Sequence, residues 1–246
     1  MKADVLVIIP AFNEEASLEH VVTGVRSALP RADIAVVNDG SRDRTGTIVE
    51  SLGVIGLQLP LHLGVGAAEQ TGFRFASRFG YRVVVRNDGD GQHNPSEIPL
   101  LLEALEGGGA DVVIGSRYRE PSGYVTPLLR RMGIRCLAAV LSLVCRQRFT
   151  DPTSGFRAFN RRAIEICSRF YPEDYPEPES LVLLIRAGLK VREIPVSMNP
   201  RYGGQSSIRT IDSVSYMARV LLAIFIGLLR AAPVPPSNPD PQGRRS

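Results

Sequence analysis

Five short apolar runs in the first half of the chain constrain its fold more than any other feature. They are Val5 to Pro10, Ile34 to Asn38, Val54 to Leu59, Tyr81 to Asn87 and Asp111 to Gly115. Each is short and nearly continuous in Val, Ile and Leu, the pattern of a strand buried on both faces. Helical patterns fill the gaps. Glu14 to Ala28 places Leu18, Val21, Val22 and Val25 on one face, a second helix with Ser41 or Asp43 as its cap runs to about Leu52, and a third leads from Gly64 to about Arg78. Strands alternating with helices at this spacing predict an α/β fold, with right-handed crossovers building a doubly wound, mainly parallel sheet flanked by helices.

The pattern loosens after Gly115. A polar loop spans Ser116 to Thr126, a helix Pro127 to Cys145, a tight loop Thr150 to Phe156 and a short helix Arg161 to Ser168. A stretch rich in Pro, Tyr and acid, Phe170 to Pro178, precedes a helix from Glu179 to Gly188, a strand from Lys190 to Met198 and a last helix from Ser206 to Ala232. The segment Pro233 to Ser246 holds five prolines among polar residues and reads as a disordered tail.

In an open α/β sheet, ligands bind beyond the carboxyl ends of the strands. Four polar loops fall there: Pro10-Ala11-Phe12-Asn13-Glu14-Glu15, Asn38-Asp39-Gly40-Ser41, Asp88-Gly89-Asp90 and Gly115-Ser116-Arg117-Tyr118. An acid at the end of the second strand, here Asp39, commonly reads a nucleoside. Asp88 and Asp90 are two residues apart, so in extended chain both project to one side. Hard oxygen ligands in that arrangement suit Mg²⁺ or Mn²⁺, which usually combines a few carboxylates with substrate phosphates. Asp-Gly-Asp-Gly is equally a turn signal taken by itself. A calcium loop of the EF-hand type is excluded, because Gln92 and His93 stand where Asp or Asn and Gly are needed. Asn94 and Pro95 suit the N-cap and first position of the following helix.

Composition narrows the classes. At 246 residues the chain is one large domain, or one domain with appendages, and its net charge of +4 does not point to nucleic acid. Arg130, Arg131, Arg135, Arg146 and Arg148 cluster, which fits an anionic substrate, a membrane surface or a solvated helix face. Three cysteines, Cys136, Cys145 and Cys167, have no metal-ligand spacing and read as reduced and buried. With no legible secretory leader, the expectation is a cytoplasmic protein, peripheral at most to the membrane's cytoplasmic face. Val220 to Leu229 is ten unbroken apolar residues between Arg219 and Arg230. A bilayer span needs about 20. The segment therefore reads as an interfacial helix or as a core or dimer helix.

The joint occurrence and order of these motifs resembles the family 2 glycosyltransferases of GT-A fold, nearest the dolichyl- or polyprenyl-phosphate mannosyl- and glucosyltransferase branch. The resemblance runs from about Val5 to Ser207. It implies a catalytic domain over 1–207, an apolar helix over 208–232 and the tail over 233–246. It further implies nucleotide binding by Pro10, Ala11, Asn13, Glu14 and Asp39, with Asp88 and Gly89 beside the donor. By the same resemblance Asp88 and Asp90 form an Asp-X-Asp metal motif, Gln92 is a further ligand, and Arg117 lies near the acceptor. Asp151 to Phe156 matches a structural and acceptor-site loop, Glu179 a helix acid, and Arg201, Gly204 and Ser206 an Arg-X-X-Gly-X-Ser segment. Departures are Ser207 in place of a common lysine, His62 in place of asparagine, Gly89 in place of alanine, and the unusual Tyr175 to Glu179 run.

What the resemblance implies is a metal-dependent, inverting hexosyltransferase. It would move a sugar from a UDP-, GDP- or dTDP-sugar to a polyprenyl phosphate, with Asp88, Asp90, Arg117, Arg201 and Glu179 in the reaction site. The alternative acceptor is a hydroxyl of a lipid-linked or cell-wall saccharide. A phosphate acceptor is anionic near neutral pH and needs cations, for which Arg117 and Arg131 are candidates; a hydroxyl needs a base, for which Asp174, Glu177 and Glu179 are candidates. A nucleotidyltransferase would want a basic glycine-rich loop after the first strand, where acids stand instead. A binding protein with a dead site is disfavoured by the intact Asp88, Asp90, Gln92 and Arg201 set.

Overall fold

The computed structural model describes residues 3–119, 128–199 and 213–229. In chain order the elements are β1 (Val5–Ala11), α1 (Leu18–Ala28), β2 (Asp33–Asn38), α2 (Thr45–Ser51), β3 (Ile55–Gln58), α3 (Val65–Phe79) and β4 (Val83–Arg86). There follow α4 (Ile98–Gly107), β5 (Val112–Ser116), α5 (Leu128–Cys145), β6 (Arg157–Asn160), α6 (Arg161–Phe170), α7 (Pro176–Arg186), β7 (Val191–Pro195) and α8 (Ser213–Leu229). A 3₁₀ turn at Pro95–Glu97 precedes α4, and Asn94 caps it, its side chain accepting from the Ser96 amide.

The strands form one seven-stranded sheet in the order β3-β2-β1-β4-β6-β5-β7. All pairs are parallel except those of β6, which runs antiparallel to both β4 and β5. The expected α/β sheet with flanking helices is therefore present, but β6 is an addition. Residues 157–160 carry no strand pattern in the sequence, because the run is four residues long and opens on an arginine. That arginine is buried only because tertiary contacts satisfy it. Two helix starts also shift: α1 begins at Leu18 rather than Glu14, and α7 at Pro176 rather than Glu179. Residues 15–17 form a turn, with the Ser17 and Leu18 amides donating to the Glu14 carbonyl, and the Glu14 amide is drawn to α2, donating to Thr45 Oγ1 at 2.9 Å. Pro176 takes the first helical position, where a missing N–H costs nothing.

Alternation along the strands divides the core into two layers. Leu6, Ile8, Val37 and Phe159 face a cluster with Phe73, Ile164 and Leu181, while Val7, Ile9, Val36 and Val113 face one with Leu18, Leu101 and Phe156. Gly72 lets α3 lie against β1, since a Cβ there would stand 2.5 Å from Ile8 Cγ2. One face of α8 joins the first cluster through Val220 and Ile224, and the other exposes Leu222, Phe225, Ile226 and Leu229. No helix among the described residues is long and apolar enough to cross a membrane.

The antiparallel turn of β6 matters for the site. The parallel strands end on one edge, and β6 begins there, with Arg157 directly opposite Arg86. Its preceding loop, residues 150–156, thus joins the loops after β1, β2, β4 and β5.

Candidate active site

At the ends of β1 and β2 the two loops are laced together by side chains. Pro10 and Ala11 close β1, and the Asp39 amide donates to the Ala11 carbonyl at 2.9 Å. Asn13 sits at φ 55, a left-handed conformation asparagine tolerates, and its Oδ1 accepts from the Arg42 amide at 2.9 Å. Glu14 accepts from the Ser17 hydroxyl at 2.9 Å. Asp39 is buried, and its two carboxylate oxygens accept from the amides of Leu63 at 2.8 Å and Gly64 at 2.9 Å. His62 Nδ1 stands 2.8 Å from Asp39 Oδ2, and its ring stacks on Phe12 at 3.7 Å between centroids. Gly40 permits this approach: it lies at φ 65, and a Cβ there would be 2.6 Å from the His62 nitrogen. The acid at the second strand end thus organises the 61–64 loop beside the sheet edge.

The turn after β4 brings Asp88, Asp90 and Gln92 together. The Gln92 amide donates to Asp90 Oδ1 at 2.9 Å, and Gly91 takes φ 80, which a residue with Cβ disfavours. Gly89 packs on the end of β1; a Cβ there would lie 3.1 Å from the Pro10 carbonyl oxygen. His93 backs the turn. Its Nδ1 accepts from the Asp88 amide at 2.9 Å, its Nε2 lies 3.4 Å from Asp88 Oδ2, and its ring stacks on Phe156. Burial holds the His93 pKa down to about 4, so near neutral pH the ring is uncharged with its proton on Nε2. Burial works against the Asp88 carboxylate, yet His93 and Arg86 beside it keep its pKa below the ordinary value.

Beneath the turn lies a buried charge cluster. Arg86, 2 % exposed, brings one nitrogen, Nη2, to Glu177 Oε1 at 2.8 Å, Glu69 Oε1 at 2.9 Å and Asp88 Oδ1 at 3.1 Å. Glu69 also accepts from the Tyr171 hydroxyl. Burial raises the Glu69 pKa from 4.5 to about 8 against the pull of Arg86, so it holds its proton to higher pH than an exposed glutamate.

Asp88, Asp90 and Gln92 offer hard oxygen donors on one turn, which suits Mg²⁺ or Mn²⁺. Among the described residues no group of three or more His, Cys, Asp or Glu is placed to hold a metal ion. A cation held by these residues would need water and substrate phosphate to complete its shell, the usual habit of Mg²⁺. The buried side-chain atoms lacking a hydrogen-bond partner, among the described residues, are Glu69 Oε1, Arg86 Nε and Nη1, Asn87 Oδ1 and Asp88 Oδ1. All belong to this one cluster, and unsatisfied polar atoms gathered in one place are expected where a bound group or water belongs.

On the far side, Arg117 is committed within the fold. Its Nε donates to Asp151 Oδ2 at 2.6 Å and its Nη2 to Asp151 Oδ1 at 2.7 Å and to Thr153 Oγ1 at 2.9 Å. Glu193 in turn accepts from the amides of Thr150 and Asp151. Glu179 lies in the first turn of α7, where its Oε1 accepts from the Tyr175 amide at 3.2 Å. Beside this loop a cavity of about 370 Å³ opens along α5, walled by Ile134, Ala138 and Phe149 and rimmed by Arg131, Arg135 and Arg148. After β7, the Asn199 amide donates to the Gln92 carbonyl at 2.9 Å. Arg201, Gly204, Ser206 and Ser207 lie outside the described residues.

Comparison with known proteins decides the family. The model of glycosyl transferase family 2 matches residues 6–167. The chain belongs to glycosyl transferase family 2. It is 34 % identical over 214 residues to polyprenol monophosphomannose synthase of Mycolicibacterium smegmatis, covering 82 % of this chain and 80 % of that one. It is also 34 % identical to undecaprenyl-phosphate mannosyltransferase of Micrococcus luteus, covering 83 % and 87 % of the two chains. Among solved structures, glucosyl-3-phosphoglycerate synthase from Mycobacterium tuberculosis, in complex with Mn²⁺, UDP-glucose and phosphoglyceric acid, superposes with a TM-score of 0.71 at 22 % identity. That match covers 92 % of this chain and 80 % of the other.

In this glycosyltransferase the site also contains residues that pattern reading passed over: Glu69, Arg86, Arg157 and Tyr171. A signal for one was present. Arg86 ends a strand otherwise made of valines, and an arginine buried there requires paired carboxylates. Nothing local marks Glu69, which sits in an amphipathic helix 17 residues earlier.

Proposed function

We propose that this family 2 glycosyltransferase moves a sugar, with inversion at the anomeric carbon, from a nucleotide-diphospho-sugar to a polyprenyl phosphate. Asp39 and the loop from Pro10 to Glu14 bind the nucleoside end of the donor, whether UDP-, GDP- or dTDP-linked. Asp90 and Gln92, with Asp88, hold Mg²⁺ or Mn²⁺ against the diphosphate. Bound there, such a cation supplies Lewis-acid stabilisation to the departing nucleoside diphosphate. Arg201 is the candidate for a further cationic contact to it.

The observation that carries the acceptor reading is the cavity on α5. Its apolar wall and arginine rim suit a molecule that is hydrocarbon at one end and phosphate at the other. A phosphate monoester, with a second pKa of about 6, is already nucleophilic at neutral pH, so no base is required. Two of the three acids considered as a base have other partners: Glu177 meets Arg86, and Glu179 caps its own helix. The mannosyltransferase relatives, whose names specify polyprenyl phosphates, support the same class.

A lipid acceptor fits peripheral contact with a membrane. Helix α8, whose outer face exposes Leu222, Phe225, Ile226 and Leu229, packs against α5, which itself exposes Met132 and Leu143. An apolar helix face bordered by cations lies naturally at a headgroup boundary.

The deciding experiment is single-turnover transfer to a short polyprenyl phosphate. Arg131→Ala and Arg135→Ala each weaken acceptor binding by about 1.5–3 kcal/mol, the value of a charge-assisted contact. If both leave acceptor affinity intact while Glu179→Gln loses several orders of magnitude in rate, a saccharide hydroxyl is the acceptor instead.

A further inference from the structure

We infer that Arg86 is a positioning residue for the donor site and that Glu177 acts through it rather than on the substrate. The inference rests on the reading of residues 88–92 as the place where metal and diphosphate bind.

The geometry is that of a clamp. Asp88 has one oxygen 3.1 Å from Arg86 Nη2 and the other 3.4 Å from His93 Nε2. One oxygen is thus ion-paired with Arg86 from the protein side, and the His93 ring lies beside the other. Arg86 is itself over-determined. Glu69 on α3 and Glu177 on α7 meet the same nitrogen from two further elements. The guanidinium lies against Gly155, where any Cβ would come within 2.5 Å of its carbon. A side chain there would displace Arg86, and so Asp88 with it.

Glu177 is held twice. Its carboxylate meets Arg86, and its backbone carbonyl accepts from Arg157 Nη2 at 2.9 Å. Arg157 is fully buried, donating also to the carbonyls of Ser154 and Pro152 and to Ser180 Oγ. Arg86 and Arg157 are cross-strand partners, so β4 and β6 together fasten the first turn of α7 to the floor of the donor loop. A general base needs its proton acceptor turned toward substrate. Glu177 Oε1 instead lies 2.8 Å from a nitrogen that is itself buried below Asp88. Groups that orient the residues around a metal typically change metal affinity or activity by about 10- to 100-fold when removed.

The test uses Glu177→Gln as its main variant, because that side chain is 20 % exposed and the amide preserves its shape. Arg86→Lys is the second; it keeps one charge at that depth but loses the planar fork. Mn²⁺ binding in the presence of nucleoside diphosphate is followed by electron paramagnetic resonance, and kinetics by varying Mn²⁺ and donor separately. Both variants are expected to raise the Mn²⁺ half-saturation and the donor KM by about tenfold. For Glu177→Gln, kcat at saturation stays within about threefold of wild type and the pH profile keeps both limbs, as a group that transfers no proton requires. A collapse of kcat with loss of one pH limb would make Glu177 a base and overturn the inference. So would Mn²⁺ and donor constants equal to wild type in either folded variant. Asp90→Asn, run in parallel, separates the two readings. If it binds Mn²⁺ like wild type, the metal assignment fails first. If it loses Mn²⁺ while both variants bind normally, only the present inference fails.

Discussion

Arg117 and Asp151 stand 34 residues apart in the chain and are joined by two parallel hydrogen bonds of 2.6 and 2.7 Å. A third bond, from the Arg117 amide to Asp151 Oδ2 at 3.1 Å, fixes the backbone as well. Asp151 is fully buried and the Arg117 side chain is 11 % exposed. This pair pins the loop before β6 to the end of β5, so Arg117, proposed for the acceptor side, also holds the fold. Arg117→Ala strands a buried carboxylate, which costs about 3–5 kcal/mol of stability. Chemical denaturation measures it. A variant that unfolds at the wild-type midpoint while losing acceptor affinity would leave Arg117 as a substrate contact only.

Asp39 is the hub of the sheet edge proposed to bind the nucleotide. Asp39→Ala leaves the part-buried amides of Leu63 and Gly64 without their acceptor, a loss of about 0.5–1.5 kcal/mol for each ordinary hydrogen bond. The 61–64 loop loosens, and affinity for nucleoside diphosphate falls more than the single-turnover rate at saturating donor. Asp39→Asn, which retains one acceptor oxygen, lies between. Calorimetric titration that finds unchanged affinity in Asp39→Ala removes the assigned role.

Glu69 imprints a pH dependence on stability. Its pKa is raised from 4.5 to about 8 in the folded protein, so between those values the native state keeps a proton that the unfolded chain has released. The corresponding stability is fully present below pH 4.5 and is lost as pH rises through about 8. Unfolding free energies at a series of pH values are expected to decline over that window in wild type and to decline less in Glu69→Gln. Parallel curves for the two proteins would show that Glu69 ionises normally.

The outer face of α8 is free of the core, so Leu222→Asp and Phe225→Asp are expected to leave the melting temperature within about 2 °C of wild type, since surface changes usually fall within ±0.5 kcal/mol. The same changes weaken co-sedimentation with anionic phospholipid vesicles. If vesicle binding persists and a concentration-dependent dimer is lost instead, the face is a protein interface.

The sequence by itself determined the parts of this protein that depend on local pattern. Runs such as Val5 to Ile9 read as buried strands because valine and isoleucine at consecutive positions need burial on both faces. The ends of those strands therefore place Asp39, Asp88 and Asp90 on one edge. Asn94 and Pro95 marked their turn by elementary capping chemistry. Only the tertiary structure decided which charges meet. Arg86 and Glu177 are 91 residues apart, and Arg117 and Asp151 are 34 apart. Both pairings follow from β6 entering the sheet antiparallel between β4 and β5. A four-residue strand led by an arginine carries no period that could announce it. Its burial rests on hydrogen bonds to Pro152, Ser154, Glu177 and Ser180 that exist only once the sheet has closed.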